Sequence, residues 1–231
     1  MKFINNILYN DLIIFDDVFP LLLSSFRIAE YNYYLNSINK TIIRSTFPNY
    51  QKAYLEYSLI YNDLSIKVNE YNKKQKYRSK LVYTVFINNI NYFLDKIEQM
   101  KTPFVFTLYP GGGFWVDEIA SDEKLKRVFN SKYFKKVIVT QKITYDYLIS
   151  KNFCTPSSIE FIFGGVLASN YFDKHYIKKK YYLNDKNTFD ICFVANKYMP
   201  KGIDKGYDVF IEVAKKLLSY NKNIKQNYYY R

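Results

Sequence analysis

Short apolar runs alternate along the chain with segments whose apolar residues recur at helical spacing. Runs rich in β-branched and aromatic residues predict strands at 11–19, 40–46, 80–88, 103–109, 135–141 and 158–166. Segments of helical period predict helices at 24–38, 50–61, 89–100, 121–131 and 143–152. Strands buried on both faces and separated by helices are typical of a parallel sheet with right-handed crossovers. We therefore predict an α/β fold with a Rossmann-like parallel sheet and helices on both faces.

The composition changes after residue 170. Residues 171–188 are polar and basic, which predicts a linker between an N-terminal domain at 1–170 and a second unit at 189–231. The second unit has one predicted strand, at 189–195, and one helix with Val209, Val213 and Leu217 on one face. One strand and one helix cannot bury their own apolar faces. We therefore expect the second domain, also Rossmann-like, to be incomplete in this chain.

The net charge of +13 fits nucleic acid, an anionic membrane or an anionic ligand as partner. The richest basic stretches, 71–80 and 174–182, predict loops rather than one face of a helix. Lys, Asn, Tyr and Ile are enriched together, a bias that an AT-rich genome produces. The charge therefore fits a solvated surface equally well.

No apolar run is long enough to span a bilayer, and residues 1–25 lack a signal-peptide pattern. Cys154 and Cys192 lack the spacing of a metal site and are typical of reduced thiols in a cytosolic protein. We predict a cytoplasmic protein. Contact with the inner face of the membrane is a further prediction, and it rests on charge alone.

Candidate binding residues follow the predicted strands, because ligands of a doubly wound sheet bind outside the carboxyl ends of the strands. Asp16 and Asp17 follow the first predicted strand, where a turn or a helix cap is their expected role. Gly164 and Gly165 follow the sixth, where a binding role and a plain tight turn are both open. Arg27 and Glu30 are three residues apart on a predicted helix, so we expect them to pair with each other.

Three of the chain's seven glycines, Gly111, Gly112 and Gly113, stand in a row before its only tryptophan, Trp115. Glycine lets a backbone turn tightly and approach a ligand without a Cβ in the way. We predict that these glycines turn the chain at the mouth of a cleft and leave backbone amides free beside a substrate.

The segment FDICFVANKYMPKGIDKGYDVFIEVAKKL at 189–217 resembles the start of the C-terminal domain of GT-B glycosyltransferases, in particular the retaining, family 4-like group with group-1-type domains. In the N-terminal half, FRIAEYNYYL, TLYPGGGF, KVIVTQ and GGV follow in the order found in that group, so the resemblance covers nearly the whole chain. It implies transfer of a sugar from a nucleotide-sugar donor to a glycan or lipid-linked acceptor in cell-surface polysaccharide synthesis. It implies no cofactor and no metal.

The resemblance assigns the donor's diphosphate to a basic loop. Lys205 and Gly206 match the family's Lys-Gly pair, and Lys201, followed by glycine, is a second candidate. Ala195 and Asn196 stand where the family has Gly-Arg, so Lys197 is expected to supply the missing charge. Such positive groups stabilise a leaving phosphate without a metal.

The acceptor loop implied by the resemblance contains Tyr109, the glycines at 111–113 and those at 164–165. Tyr109 stands about where many relatives have a histidine near the reacting sugar. A phenol cannot do the acid–base work of histidine near neutral pH, so we expect Tyr109 to hydrogen-bond a hydroxyl. His175 is the only histidine, which excludes a histidine-based metal cluster or a Ser-His-Asp triad.

No catalytic residue is assigned, because the family's pair of glutamates would fall beyond residue 231. We therefore expect this chain alone to be inactive or incomplete as an enzyme. A second hypothesis is a non-catalytic remnant or binding module of the same fold. A third, a basic nucleic-acid-binding protein, is disfavoured because the aromatic residues follow the spacing of a core, so nucleic acid is not a predicted partner.

Overall fold

The computed structural model describes residues 9–24, 26–163, 178, 180–187, 190–193 and 205–220. The chain divides into two compact units, Met1–His175 and Tyr176–Arg231. The predicted linker at 171–188 contains this division, and half of its residues lie outside the described part of the chain.

The first unit alternates strands and helices. Its elements are β1 (Tyr9–Asp16), α1 (Phe26–Ser37), β2 (Thr41–Ser45), α2 (Tyr50–Ile60), α3 (Asn62–Ser65), β3 (Val68–Glu70), β4 (Arg78–Val85), α4 (Ile87–Met100), β5 (Phe104–Leu108), α5 (Ile119–Phe129), β6 (Phe134–Val139), α6 (Lys142–Ser150) and β7 (Ile159–Phe161). In the second unit, the described residues contain one α-helix, α7 (Tyr207–Tyr220).

The seven strands form one sheet in the order β3-β2-β1-β4-β5-β6-β7, and every neighbouring pair is parallel. The predicted Rossmann-like parallel sheet is thereby confirmed. From β1 the chain moves outward to β2 and β3, then returns to the other side of β1 and moves outward again through β4 to β7. The order reverses between β1 and β4, and in open α/β sheets this reversal opens the crevice in which ligands bind.

The residues of β1 alternate between two apolar clusters, one on each face of the sheet. Leu12 and Ile14 pack with residues of α1 and α2, among them Tyr31 and Tyr57. Ile13 and Phe15 pack with residues of α4, α5 and α6. Burial on both faces explains why residues 12–15 of β1 are apolar without alternation.

Strand β1 ends at Asp16, earlier than the predicted residue 19. The reason is local: Oδ1 of Asp16 accepts hydrogen bonds from the backbone N–H of Val18 at 2.8 Å and of Phe19 at 2.7 Å. These bonds turn the chain, as expected for an aspartate at this position.

The apolar pattern did not reveal α3 and β3. Strand β3 lies at the edge of the sheet, and its residues Asn69 and Glu70 are exposed. Short, polar edge strands are common because they resist pairing with other chains, and they leave no apolar run in the sequence.

The buried face of α1 is not the one that its helical spacing suggests. That spacing places Tyr33 on one face with Phe26, Ala29 and Ser37, but Tyr33 is 65% exposed. The buried residues of the helix instead include two charged ones, and the full set is Arg27, Ile28, Glu30, Tyr31 and Leu35. Apolar periodicity cannot identify a face that buries charges.

In the second unit, α7 begins directly after Gly206, whose φ is +73°, and the carbonyl of Gly206 accepts the backbone N–H of Phe210 at 3.0 Å. Phe193 packs on the helix, with its ring centroid 5.2 Å from that of Phe210. Val209 and Val213, which helical spacing places on one face, are 61% and 47% exposed, in line with the expectation that this unit cannot bury its own apolar face. In the predicted strand at 189–195, the described residues 190–193 are not in a strand, and the other residues lie outside the described part of the chain.

Within the described part of the chain, no helix combines the length and apolar character needed to cross a membrane.

Candidate functional site

The candidate site lies at the carboxyl edge of the sheet, at the neighbouring strands β1 and β4, between which the strand order reverses. Three segments of the first unit meet there. They are the loop after β1 with the start of α1, the junction of β4 and α4, and the loop after β5. Contacts between their side chains, given below, join the three segments into one site.

Asp16 fixes the start of α1 to the end of β1. Its side chain is completely buried. While Oδ1 accepts two backbone N–H groups, Oδ2 accepts Nε of Arg27 at 2.9 Å and the hydroxyl of Tyr31 at 2.7 Å. Four donors satisfy both oxygens of this carboxylate, so its role is to hold the loop and helix in place.

Arg27 links α1 to α4 through Asp17. Its Nη2 lies 3.0 Å from Oδ1 of Asp17, which also accepts Nδ2 of Asn89 at 2.9 Å. The guanidinium lies over the rings of Phe26 and Phe86, at 5.2 and 5.0 Å from their centroids. Burial alone lowers the pKa of Arg27, but the nearby charge of Asp16 and further favourable contacts raise it overall. The expected pairing of Arg27 with Glu30 is therefore wrong, because Arg27 pairs with both aspartates.

Glu30 lies in a network of hydroxyl groups and is 2% exposed. Its Oε1 accepts the hydroxyls of Tyr83 and Tyr34. The hydroxyl of Tyr83 also lies 2.6 Å from Oγ1 of Thr107. Since the single proton of Tyr83 is donated to Glu30, Thr107 donates to Tyr83. In contrast, Oε2 of Glu30 is buried and has no hydrogen-bond partner among the described residues.

Burial raises the pKa of the Glu30 carboxyl, and the charge of Asp16 raises it further. The hydrogen bonds from Tyr83 and Tyr34 and the charge of Arg27 lower it, but the balance is upward. The environment of Glu30 thus disfavours its charged form. A buried titratable group with a shifted pKa is a common feature of functional sites.

Tyr109 joins the same site from the loop after β5. Its ring packs against those of Phe26 and Phe86, at centroid distances of 5.0 and 5.5 Å. Burial and the charge of Glu30 raise the pKa of Tyr109 to about 12. The phenol therefore stays protonated at neutral pH and can donate a hydrogen bond. Its predicted contact with a substrate hydroxyl stays a prediction.

Phe86, which precedes the first residue of α4, has a strained backbone. Its φ of +68° and ψ of 147° lie close to a region that only glycine adopts readily. Such strain costs about 1–3 kcal/mol and is found mainly where function requires it. The strained conformation places the Phe86 ring against both Arg27 and the loop that contains Gly111, Gly112 and Gly113, here called the glycine loop.

The glycine loop turns tightly, as predicted. Gly111 and Phe114 pair as an isolated antiparallel bridge, and the φ values of Gly111, Gly112 and Gly113 are +81°, +54° and +87°. A Cβ on Gly112 would lie 2.3 Å from the Phe86 ring, and one on Gly113 would lie 2.1 Å from Oδ1 of Asn88. Glycine is required here because the loop packs directly on the start of α4.

The backbone of the glycine loop is partly used within the protein. The carbonyl of Gly112 accepts the backbone N–H of Asn88 at 3.2 Å, and that of Gly113 accepts Nζ of Lys124 at 3.2 Å. In the described part of the chain, the amides of Gly112 and Gly113 donate no hydrogen bond. These amides can therefore bind a ligand, although that role stays a prediction.

The predicted donor-binding residues belong to the second unit. Lys205 is exposed and, with Gly206, directly precedes α7, which is the order that the resemblance implies. Lys197 and Lys201, and the glycines at 164–165 in the first unit, lie outside the described residues. Among the described residues, no group of three or more His, Cys, Asp or Glu side chains could hold a metal ion.

Sequence reasoning missed the polar network of Glu30, Tyr83 and Thr107. The signal lay in α1, where Arg27, Glu30 and Tyr31 occupy positions three and four apart together with Leu35. A helical face that mixes charges with apolar residues is unusual for solvent contact and can indicate a buried polar site.

No protein-family model matches the chain, and neither a curated protein nor a solved structure matches it. Its function is therefore argued from its own residues and fold.

We predict that Asp16→Asn destabilises the first unit by about 3 kcal/mol, because it breaks the buried ion pair with Arg27 and leaves the guanidinium only the half-exposed carboxylate of Asp17. Urea unfolding followed by circular dichroism measures this change. Asp95→Asn is the control, since Asp95 pairs with Arg127 at 2.5 Å while both side chains are largely exposed. Equal unfolding midpoints for the two variants would contradict the anchoring role of Asp16.

We predict that Gly112→Ala lowers the melting temperature more than Gly111→Ala. Both positions have positive φ, but an added Cβ meets the Phe86 ring only at Gly112, whereas nothing lies within 4 Å at Gly111. Overpacking typically costs about 1–3 kcal/mol. Differential scanning calorimetry on both variants tests the comparison, and equal losses would mean that the contact with Phe86 is unimportant.

We predict that, as pH rises from 4 to 8, the free energy of unfolding of the unmodified protein falls relative to that of Glu30→Gln. A raised pKa means that the folded state binds the proton more tightly. The stability of the unmodified protein therefore falls as pH rises above the unfolded pKa, by about 1.4 kcal/mol per unit of separation. Glutamine does not titrate. Urea unfolding at both pH values tests this, and a constant difference would refute it.

Proposed function

We propose that the chain is a glycosyltransferase of the GT-B type, which transfers a sugar from a nucleotide-sugar to a glycan or lipid-linked acceptor in cell-surface polysaccharide synthesis. The observation that carries the proposal is the reversal of strand order between β1 and β4, with a polar and aromatic site at that edge. This fold agrees with the resemblance in the sequence. Because many unrelated functions share the fold, the fold alone does not identify the function, and the side chains of the site have to support it.

The first unit would hold the acceptor. The half-buried rings of Phe26, Phe86 and Tyr109 present apolar surface next to the polar groups of Asp17 and Tyr34. Sugars combine C–H faces with hydroxyl groups, and a site that offers rings beside hydrogen-bonding groups matches both. Phosphate-binding glycine motifs of ordinary dinucleotide sites do not follow β1, where the sequence reads DDVFP.

The second unit would hold the donor. Lys205 stands directly before α7, so its charge adds to the partial positive charge at the start of that helix. Gly206, at φ +73°, allows the turn into the helix without strain. Together they can bind a diphosphate and stabilise the charge that develops on it when the sugar leaves. This chemistry requires no metal and no cofactor.

The proposed acceptors place the reaction in the cytoplasm, at the inner face of the membrane. The net charge of +13 favours contact with anionic lipid headgroups there.

A binding module without turnover is the second candidate. It is favoured by Ala195 and Asn196, which stand where the resembling family has Gly-Arg and so lack the arginine charge expected on the donor phosphate. Such a module would bind saccharides at the first unit but would not cleave a nucleotide-sugar.

We predict that the purified chain binds a nucleoside diphosphate such as UDP, and that Lys205→Ala weakens this binding about tenfold, as expected for the loss of a charged contact. Lys215→Ala is the matched control, because Lys215 lies within α7, away from its start, and pairs with Glu212 at 2.7 Å. Isothermal titration calorimetry measures both.

The same preparation is then incubated with radiolabelled UDP- and GDP-sugars and with saccharide acceptors. Transfer or slow donor hydrolysis supports the enzyme. Saccharide binding without either reaction supports the module. If neither nucleoside diphosphates nor saccharides bind, both proposals fail.

A further inference from the structure

One arginine of the first unit has no anionic partner. Arg44, on β2, is partly buried, and in the part of the chain that the structure describes its side chain makes no ion pair and no hydrogen bond. Burial lowers the pKa of Arg44, and the influences that oppose this shift come from Tyr77 and Tyr50 and not from a carboxylate. A cation that is partly removed from water without an anion costs free energy, so its position requires an explanation.

The end of the Arg44 side chain is accessible from solvent. Its Nε is buried without a hydrogen-bond acceptor, but Nη1 and Nη2, which are also unpaired among the described residues, are not buried. The guanidinium carbon lies over the ring of Tyr77, 5.4 Å from its centroid. The hydroxyl of Tyr77 is bonded to the backbone of Asn72, as donor to the carbonyl and acceptor from the N–H, both at 3.0 Å. A fixed ring thus supports a guanidinium whose two terminal nitrogens are available.

A second cation lies over the same ring. Nζ of Lys96, on α4, is 5.2 Å from the centroid of Tyr77. It donates to the carbonyls of Lys73 and Gln75 at 2.9 and 2.7 Å, which ties α4 to the loop between β3 and β4. An ammonium group has three protons, so one proton of Lys96 stays available beside Arg44.

The loop between β3 and β4 adds further positive charge. Residues 71–80 contain no Asp or Glu, and Lys73, Lys74 and Lys76 are exposed. None of these three lysines forms an ion pair within the described ranges. Because Tyr77 belongs to the apolar cluster beneath α4, this surface lies on the opposite face of the sheet from α1 and is separate from the site around Glu30.

We propose that Arg44 and Lys96 bind a phosphate monoester group of a ligand beside the ring of Tyr77. The two terminal nitrogens of Arg44 form a fork that matches two phosphate oxygens, and the available proton of Lys96 reaches a third. The group carries a charge of about −1.5 to −2 at neutral pH, which offsets two unpaired cations. This inference does not depend on the proposed function.

A monoester fits this surface better than the other common anions. A carboxylate has two oxygens and one negative charge, and the phosphodiester of a nucleic acid also has one charge, so either would leave one of the two cations without a counterion. The monoester can belong to a soluble ligand or to a lipid headgroup such as phosphatidic acid. Both sources present the same chemical group.

Inorganic phosphate is the first probe, added to the intact chain at constant ionic strength with chloride as the comparison anion. We expect phosphate to raise the melting temperature, because a ligand that binds only the folded state stabilises it. Arg44→Gln should weaken the phosphate affinity derived from this shift about tenfold. Arg78→Gln is the matched control, since Arg78 is exposed, is the residue after Tyr77 and has no ion pair in the described structure.

The absence of stabilisation by phosphate would overturn the proposal. So would equal weakening by the two variants, which would mean a general attraction to positive charge. If Arg44→Gln fails to fold, ¹H–¹⁵N NMR on the unmodified protein decides. Phosphate, and not chloride, should then shift the side-chain Nε–H signal of Arg44, and an unchanged signal refutes the contact.

Sedimentation with phosphatidylcholine vesicles identifies the source of the phosphate. Binding that requires both phosphatidic acid in the vesicles and Arg44 in the chain assigns a lipid headgroup. Phosphate binding without vesicle binding assigns a soluble ligand. Displacement of phosphate by a single-stranded RNA that has no terminal phosphate would assign a phosphodiester instead, and would overturn the choice of a monoester.

Discussion

The carboxylate of Asp16 is the contact on which the site depends. It terminates β1 by accepting two backbone amides, and it holds α1 through Arg27 and Tyr31. Because Arg27 then reaches Asp17, and Asp17 reaches Asn89 of α4, one buried charge positions helices on both faces of the sheet. The side chains around Glu30 occupy their places only while this arrangement is intact.

The sheet itself was predictable because its strands are buried on both faces. Continuous apolar runs such as LIIF in β1 and FVF in β5 are typical of strands covered on both faces. Element ends were less predictable, since they depend on single contacts. Strand β1 stops at Asp16 because of two side-chain hydrogen bonds, which no apolar pattern records.

The site was predictable in location but not in composition. The rule that ligands bind where strand order reverses points to Asp16, Asp17 and the glycine loop. It does not indicate Glu30. That residue is part of the site because it accepts the hydroxyl of Tyr83 on β4, 53 residues away in sequence, and Tyr83 in turn contacts Thr107 on β5. Contacts between residues so distant in sequence appear only once the sheet has assembled. Local spacing instead predicted a pair between Arg27 and Glu30 that does not form.

The ring of Phe86 has a consequence for how the two loops can vary. One face of it is taken by Arg27 from the first crossover, and the glycine loop of a later crossover packs on the same side chain. A bulkier residue in the loop would push the ring, and the ring would push the guanidinium. Phe86 therefore couples the two loops through direct packing. A substitution in one loop that moves this ring requires a compensating substitution in the other.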